Sequence, residues 1–243
     1  MLRFLTFILV VVLSNVIQCI TGFAGTVLAM PFSVMLVGYN VAKPTLNLLG
    51  VVTSIGVLIS DYKAINKKEF FKIIAVMLVG IAGGTFITQH FELNPSLLYK
   101  LLGSVVIFFA IFDTYLFVRK KTDKELSAPI AMILLISAGL VHGMFVCGGP
   151  LLVTYASARL KDSKEFRATL SAVWIVLNSI IFCTDIKAGY INGRFFMVFI
   201  VLFLFLVLSI LIGRLVSKRM NQKAFLITSY ALMFISGISL FLK

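Results

Sequence analysis

The 243-residue chain has little charge for its length. Only 13% of its residues are charged and 60% are hydrophobic, whereas a soluble domain has roughly 25% charged and 45 to 50% apolar residues. Apolar runs recur from the first residues to the last and leave no polar stretch long enough for a separate domain. The composition therefore excludes an ordinary water-soluble fold and predicts one transmembrane domain over residues 1–243.

Acidic residues are especially few, with nine Asp and Glu against 22 Lys and Arg. A net charge of +13 would suit a nucleic-acid binder, but sixteen of the basic residues lie in four short clusters between apolar runs, as in cytoplasmic loops. We therefore expect a multi-pass protein of the cell membrane, of the bacterial plasma-membrane kind, with no nucleic-acid partner. The clusters are Lys63, Lys67, Lys68 and Lys72; Arg119, Lys120, Lys121 and Lys124; Arg159, Lys161, Lys164 and Arg167; and Arg214, Lys218, Arg219 and Lys223.

Cysteine is scarce as well, and Cys19, Cys147 and Cys183 all fall inside apolar segments. This spacing offers neither a disulfide framework nor a zinc site. The chain also lacks a phosphate-binding loop with a GK[ST] ending, so we expect no cofactor, no metal, no ATP-driven step and no enzymatic activity. Gln18 precedes Cys19 where a cleavage site needs a small residue, so we expect the first apolar run to remain in the protein.

Six apolar stretches have the length of a membrane span, which takes about 20 residues to cross roughly 30 Å of hydrocarbon. They cover approximately residues 43–60, 70–88, 97–118, 166–184, 195–213 and 224–242. Two further runs, at about 4–38 and 128–158, are too long for one span and too short for two, because each would exceed about 45 Å as a straight helix. Both contain helix breakers, Thr21-Gly22-Phe23-Ala24-Gly25-Thr26 and Cys147-Gly148-Gly149-Pro150, so we predict a broken helix in each.

The basic clusters distinguish two topologies for these long runs. If every run crossed once, the chain would have eight spans, and the last two clusters would face the opposite side from the first two. If each long run enters and leaves on the same face as a broken hairpin, all four clusters lie on the cytoplasmic side. We therefore predict hairpins.

A shift of 124 residues aligns the two long runs and the helices that follow them without a gap. It places Gly25 on Gly149, Thr45-Leu46 on Thr169-Leu170, and Asp61-x-Lys63-Ala64 on Asp185-x-Lys187-Ala188. With hairpins, each half has five membrane segments, an odd number, so the halves have opposite orientations. We predict an all-α polytopic membrane protein with two inverted-topology repeats, 1–120 and 125–243, each a broken or re-entrant helix hairpin followed by three transmembrane helices.

At these breaks the chain resembles the sulfite exporter TauE/SafE family of membrane permeases over nearly its whole length. The residues that carry the resemblance are Gly22-Phe23-Ala24-Gly25 with Pro31, the segment from Gly139 to Pro150, and Phe166-Arg167-Ala168-Thr169. The first half departs from the family pattern at Thr26, where another glycine is common. The resemblance implies transport of small sulfur-containing or organic anions such as sulfite, sulfonates or sulfoacetate.

An interrupted helix offers a dehydrated anion unpaired N–H groups and the positive end of its dipole. We therefore predict that the anion binds between the two breaks, with threonine hydroxyls as further donors; the alternative is that the glycines merely allow close helix packing. The residues predicted to bind it are Gln18, Gly22, Gly25, Thr26, Thr45, His142, Cys147, Gly148, Gly149, Pro150 and Thr169.

His142 and Gln18 are paired by the same shift and approach the breaks from related positions. A protonated His142 would contact the anion or couple its movement to a proton, whereas a neutral one would bond across helices. For Asp61 and Asp185 we expect capping or ion pairing more than binding of a coupling ion. Trp174 and three asparagines, Asn15, Asn47 and Asn178, either line a path or join helices.

The predicted function is a secondary carrier whose partners are a small anionic substrate and the lipid bilayer, with a homodimer left open. An anion channel of the same fold is one alternative. A membrane thiol relay or sulfur carrier that uses Cys19 and Cys147, which flank the two breaks, is another.

Overall fold

The computed structural model describes residues 2–21, 24–90, 94–119, 126–160 and 162–217, together with residues 231, 234–235, 237–238, 240 and 241. Within these ranges the protein is all-helical. The helices are α1 (Leu2–Thr21), α2 (Ala24–Val37), α3 (Tyr39–Asp61), α4 (Lys67–His90), α5 (Pro95–Arg119), α6 (Ala128–Phe145), α7 (Gly149–Arg159), α8 (Ser163–Lys187) and α9 (Gly193–Ser217), with a short 3₁₀ helix at Tyr62–Ala64.

These bounds confirm the all-α polytopic prediction for the described ranges. Five of the six predicted spans correspond to α3, α4, α5, α8 and α9, each a few residues longer than predicted. The sixth, at 224–242, lies mostly outside the described residues. The described segments long and apolar enough to cross a membrane are Tyr39–Ile59, Lys67–His90, Ala128–Phe145, Lys164–Lys187 and Gly193–Ile212. The protein is therefore a multi-pass membrane protein.

Four helices begin at an Asn or Asp whose side chain accepts an N–H from the first turn, which satisfies one of the donors left over at a helix start. Asparagine and aspartate suit these positions because their short side chains reach their own backbone. The pairs are Asn66 with Glu69 (3.0 Å), Asn94 with Ser96 (3.1 Å), Asp162 with Glu165 (2.8 Å) and Asn192 with Phe195 (3.1 Å).

The chain forms two compact units. The first comprises Met1–Leu46, Glu92–Lys121 and Asn192–Lys243, and the second Asn47–Phe91 and Thr122–Ile191. Each unit therefore draws helices from both halves of the sequence, so the units do not coincide with the predicted repeats. Within the first unit, α1 packs against α2 and α9, and α2 contacts α5.

In the second unit, α4 and α6 pack backbone against backbone. A Cβ atom at Gly84 would overlap the carbonyl oxygen of Leu140, and one at Gly139 would overlap that of Met77. Gly80 and Gly143 meet the facing helix in the same way. Each helix thus presents two glycines four residues apart, a spacing that lets membrane helices approach closely. For Gly139 and Gly143, close packing is the role that the structure shows.

Polar contacts gather at one end of the second unit, where the loop after α3 meets the start of α8. The Asn66 side chain donates to Glu165 Oε1 at 2.7 Å, and its backbone N–H donates to Thr169 Oγ1 at 2.9 Å. Arg167 lies 3.7 Å from Asp61, which confirms the ion pairing expected of that aspartate. Residues of the first and third basic clusters therefore lie at the same end of this unit.

Candidate functional site

The second long run is interrupted between α6 and α7, as predicted. α6 ends at Phe145, and Val146 adopts the left-handed conformation with φ of 57° while its N–H bonds to the carbonyl of His142 at 2.8 Å. Left-handed backbone is costly for a β-branched residue, and Val146 alone among the described non-glycine residues has it. Gly149 and Pro150 do not lie in the gap but form the first turn of α7.

The first turn of α7 offers donors to a ligand. Gly148 occupies the N-cap position, and its carbonyl accepts the N–H of Leu152 at 3.2 Å. Helix geometry leaves the N–H groups of Gly149 and Leu151 without a partner inside α7, and Pro150 has none to offer. All of residues 142–152 are buried. The helix start thus brings N–H groups and a partial positive charge into an apolar interior.

Gly148 itself has a packing role. A Cβ atom there would overlap the carbonyl oxygen of Ala138 and lie 2.8 Å from the Cβ of His142. The chain can therefore turn back onto α6 only with a glycine at this position. Close helix packing, the alternative to anion binding for the glycines of this break, therefore accounts for Gly148.

His142 lies beside the break and is 2% exposed. Its Nε2 is 2.7 Å from Oδ1 of Asn178 in α8, and its ring centroid lies 4.8 Å from that of Trp174, tilted by 39°. Residues 174 and 178 are one helical turn apart and therefore lie on one face of α8. On that face, Asn178 is the hydrogen-bond partner of His142 and Trp174 is its aromatic neighbour.

Asn178 also connects to α3. The side-chain amide of Asn47 donates to the backbone carbonyl of Asn178 at 3.0 Å, and the Asn178 Nδ2 lies 3.0 Å from where a Cβ atom would stand at Gly50. Asn47 is fully buried, and its Oδ1 has no hydrogen-bond partner in the part of the chain that the structure describes. The two asparagines thus join helices around His142.

Cys147 lies in the gap between α6 and α7 and is fully buried. Its thiol donates to the carbonyl oxygen of Phe145 at 3.1 Å. This bond satisfies one of the carbonyls left over at the end of α6, so the side chain supports the break.

The first break falls between Thr21 and Ala24. Gly22 lies outside the described residues, as do the side chains of Thr21 and Cys19. Thr26 Oγ1 donates to Gln18 Oε1 at 3.4 Å. A Cβ atom at Gly25 would overlap the carbonyl oxygen of Ser14 and crowd Gln18, so Gly25 allows α2 to pack against α1.

The closest packing at the two breaks involves equivalent positions. Gly25 meets Ser14 and Gln18, whereas Gly148 meets Ala138 and His142. The shift of 124 residues places Ser14 on Ala138 and Gln18 on His142. It places Gly25 on Gly149, one residue after Gly148. The two breaks thus pack through corresponding positions, and the inverted repeat itself stays a prediction.

The other two predicted threonines, Thr45 and Thr169, have different environments. Thr169 is fully buried, and its Oγ1 accepts the Asn66 N–H, so the hydroxyl holds a loop in place. Thr45 in α3 is fully buried too, and its hydroxyl has no hydrogen-bond partner among the described residues. An anion role stays a prediction for both.

Lys43 is a candidate absent from the predicted set, because its position at the start of the predicted span 43–60 suggested a place at the membrane edge. The side chain is fully buried in α3, with its Nζ 5.9 Å above the ring of Tyr39. A charged side chain inside a membrane segment is costly, and function is the default hypothesis for it. The signal was available, since Lys43 is one of only six basic residues outside the four clusters.

A family model described as "Sulfite exporter TauE/SafE" matches residues 7–240. No curated protein and no solved structure matches the chain. The family match covers both breaks and all of the predicted site residues.

Proposed function

The chain belongs to the TauE/SafE sulfite exporter family, whose members are membrane transporters of sulfite or related anions, and we propose that it is a secondary carrier for one such anion. The substrate class is a small sulfur-containing or organic anion, such as sulfite, a sulfonate or sulfoacetate. The observation that carries the proposal is the buried start of α7, which faces an apolar interior with N–H groups beside His142.

The anion binds at this break in the second unit. The N–H groups of Gly149 and Leu151 replace part of its water shell, as helix starts do for sulfate and phosphate. The Trp174 indole, whose ring centroid lies 4.8 Å from that of His142, offers a further N–H donor. Neutral donors of this kind bind an oxyanion without a permanent countercharge.

His142 couples the anion to a proton in this proposal. Histidine alone has an unperturbed pKa within the physiological range, and the partners shown for its ring, Asn178 and Trp174, are neutral side chains. An anion and a proton that arrive together at the break leave the site without net charge, which lowers the cost of crossing the bilayer.

For the residues of the first break, which lie in the first unit, anion binding stays a separate prediction. The bond between Thr26 and Gln18 puts two polar side chains beside this break, and Gln18 is the counterpart of His142 under the 124-residue shift. Gln18, Gly22, Gly25 and Thr26 are thus the next residues to test by substitution.

The direct test is flux into liposomes that contain the purified protein. Sulfite, sulfoacetate, taurine and simple carboxylates are compared with and without a pH gradient. We expect saturable, gradient-dependent flux of an anion and none of taurine, whose amino group offsets its sulfonate charge. Flux that rises linearly with concentration would identify a channel, and no flux of any tested anion would contradict the proposal.

Trp174 provides an independent binding measurement because it is the only tryptophan in the chain. An anion that binds beside it should change its emission, and a protonated imidazole quenches a neighbouring indole. We expect anion-dependent emission in the native protein and a loss of that response in His142→Ala. Transport by His142→Ala that equals the native protein from about pH 5.5 to 8, the window in which histidine titrates, contradicts the coupling role.

A further inference from the structure

Asn178 is a buried amide held from two sides. Its side-chain oxygen faces His142 Nε2 at 2.7 Å, and its backbone carbonyl accepts the Asn47 amide at 3.0 Å. It is 4% exposed, in the interior of α8. A buried polar group in such a position is costly unless its bonds are made, so its orientation is restricted.

The bond between Asn178 and His142 determines which ring nitrogen carries hydrogen. A side-chain amide oxygen only accepts, so Nε2 must be the donor. In neutral imidazole the second nitrogen then carries no hydrogen, and a further proton goes to Nδ1. We propose that Asn178 is a positioning residue that holds neutral His142 with its hydrogen on Nε2 and so makes Nδ1 the proton-accepting atom.

Gly50 assists in this arrangement. Because the Asn178 Nδ2 lies 3.0 Å from the Cβ position of Gly50, any side chain there would push the amide by a few tenths of an ångström. The bond to His142 is already at the short end of the range for an N–H donor, so such a shift weakens it. A small residue at position 50 and an amide at 178 thus act together on one imidazole.

The consequence for transport rests on the proposed function. Only one ring nitrogen receives the coupling proton, and that proton converts a neutral donor into a cation while the bond to Asn178 persists. Without Asn178, the hydrogen is free to move between the two nitrogens. The fraction of protein ready to take up anion and proton then falls.

The test is nitrogen NMR on protein labelled with ¹⁵N-histidine in detergent micelles. The chain has only two histidines, His90 and His142, so a His90→Gln variant assigns both signals. At a pH of about 8, above the range in which unperturbed histidine titrates, we expect His142 to show hydrogen on Nε2 and not on Nδ1. A native His142 with its hydrogen on Nδ1 overturns the proposal, whether or not the protein transports anything.

Two variants separate positioning from support of the fold. Asn178→Leu removes the acceptor at similar volume and should shift the His142 population towards the Nδ1–H form. Asn178→Asp keeps an acceptor oxygen and should retain the Nε2–H form. Exposed His90, stacked on Phe86 at 4.3 Å, should keep its signals in both variants, and a thermal unfolding midpoint close to that of the native protein reports that the fold is intact.

Transport supplies the second measurement. The lost bond should lower anion flux roughly tenfold in Asn178→Leu, and Asn178→Asp should recover part of it. Ser179→Ala, at the exposed neighbouring residue, should leave flux unchanged. Unchanged Nε2–H in a folded Asn178→Leu variant refutes the positioning role, whereas absence of flux in the native protein refutes the carrier and leaves the NMR result standing.

Discussion

Arg159 donates a hydrogen bond to the carbonyl oxygen of Leu126 at 3.2 Å, across 33 positions of the chain. Arg159 is the last residue of α7, and Leu126 lies two residues before α6. The long run between them therefore returns to the end of the unit from which it began. This is the hairpin predicted from the basic clusters, and a single crossing would place these two residues at opposite ends.

Gly84→Ala should destabilise the protein because the added methyl group has to displace the backbone of α6 at Leu140. Overpacking of this kind costs about 1 to 3 kcal/mol. Gly83→Ala is the matched control, since its Cβ would lie 3.5 Å from the Leu140 side chain, an ordinary contact. Thermal unfolding in detergent measures both, and equal midpoints would show that α4 and α6 do not meet through their glycines.

Val146 allows the cost of left-handed backbone to be separated from the loss of a buried side chain. Val146→Ala removes most of the side chain but keeps the energetic cost of the left-handed conformation. Val146→Gly removes both the side chain and that cost. We expect Val146→Gly to be more stable than Val146→Ala by about 1 kcal/mol, reversing the usual preference for alanine within helices. The comparison uses thermal midpoints, and a less stable glycine variant contradicts the conformation found at φ of 57°.

Tyr155 in α7 donates to Glu69 Oε2 at 2.6 Å, and the Nζ of Lys72 lies 5.5 Å from the centre of its ring. Tyr155→Phe leaves a partly buried carboxylate short of a donor and should cost roughly 1 to 3 kcal/mol. Tyr62→Phe, at a tyrosine that is 58% exposed, should cost nothing measurable. In a Glu69→Gln background the effect of Tyr155→Phe should shrink, and strictly additive losses would argue against the bond.

Cys147→Ser tests the thiol-relay alternative. The hydroxyl can replace the thiol as a donor to the carbonyl oxygen of Phe145, so a carrier should keep most of its flux. A relay would stop because serine cannot carry sulfur or exchange disulfides. Flux is measured in liposomes, with the Cys19→Ser variant and the double substitution alongside.

Lys43→Met should reduce anion flux far more than Lys63→Met does. Both lysines lie above a tyrosine ring, at 5.9 Å for Lys43 and 5.8 Å for Lys63, but only Lys43 is buried. A positive charge inside a membrane segment attracts an anion strongly because the surroundings screen it poorly. Initial rates in liposomes provide the comparison, and similar rates for the two variants would remove Lys43 from the transport path.

The helices could be predicted because apolar length is a local signal. The runs at 70–88 and 195–213 correspond to α4 and α9 with only small extensions at their ends. The break after α6 was predictable for the same reason, since Cys147-Gly148-Gly149-Pro150 is a local sequence of weak helix formers. The conformation of Val146 was not, because no residue-level preference favours a left-handed valine.

The partners of the site residues could not be predicted. His142 and Asn178 are 36 positions apart, and which faces of α6 and α8 meet depends on packing that periodicity alone does not reveal. Asn178 and Trp174 were recognised only as polar or aromatic residues that either line a path or join helices. Thr169 was proposed as an anion donor, whereas the structure shows its hydroxyl accepting a loop N–H.

The glycine contacts between α4 and α6 limit how the second unit can change shape. Two helices that touch along their main chains have no flexible side chains between them that could adjust to rotation or sliding. They must therefore move together as one rigid body. The eleven-residue α7 is joined to this pair at its start, where Gly148 packs against α6, and through the bond from Tyr155 to Glu69. Any rearrangement within the second unit therefore carries α4 and α6 together.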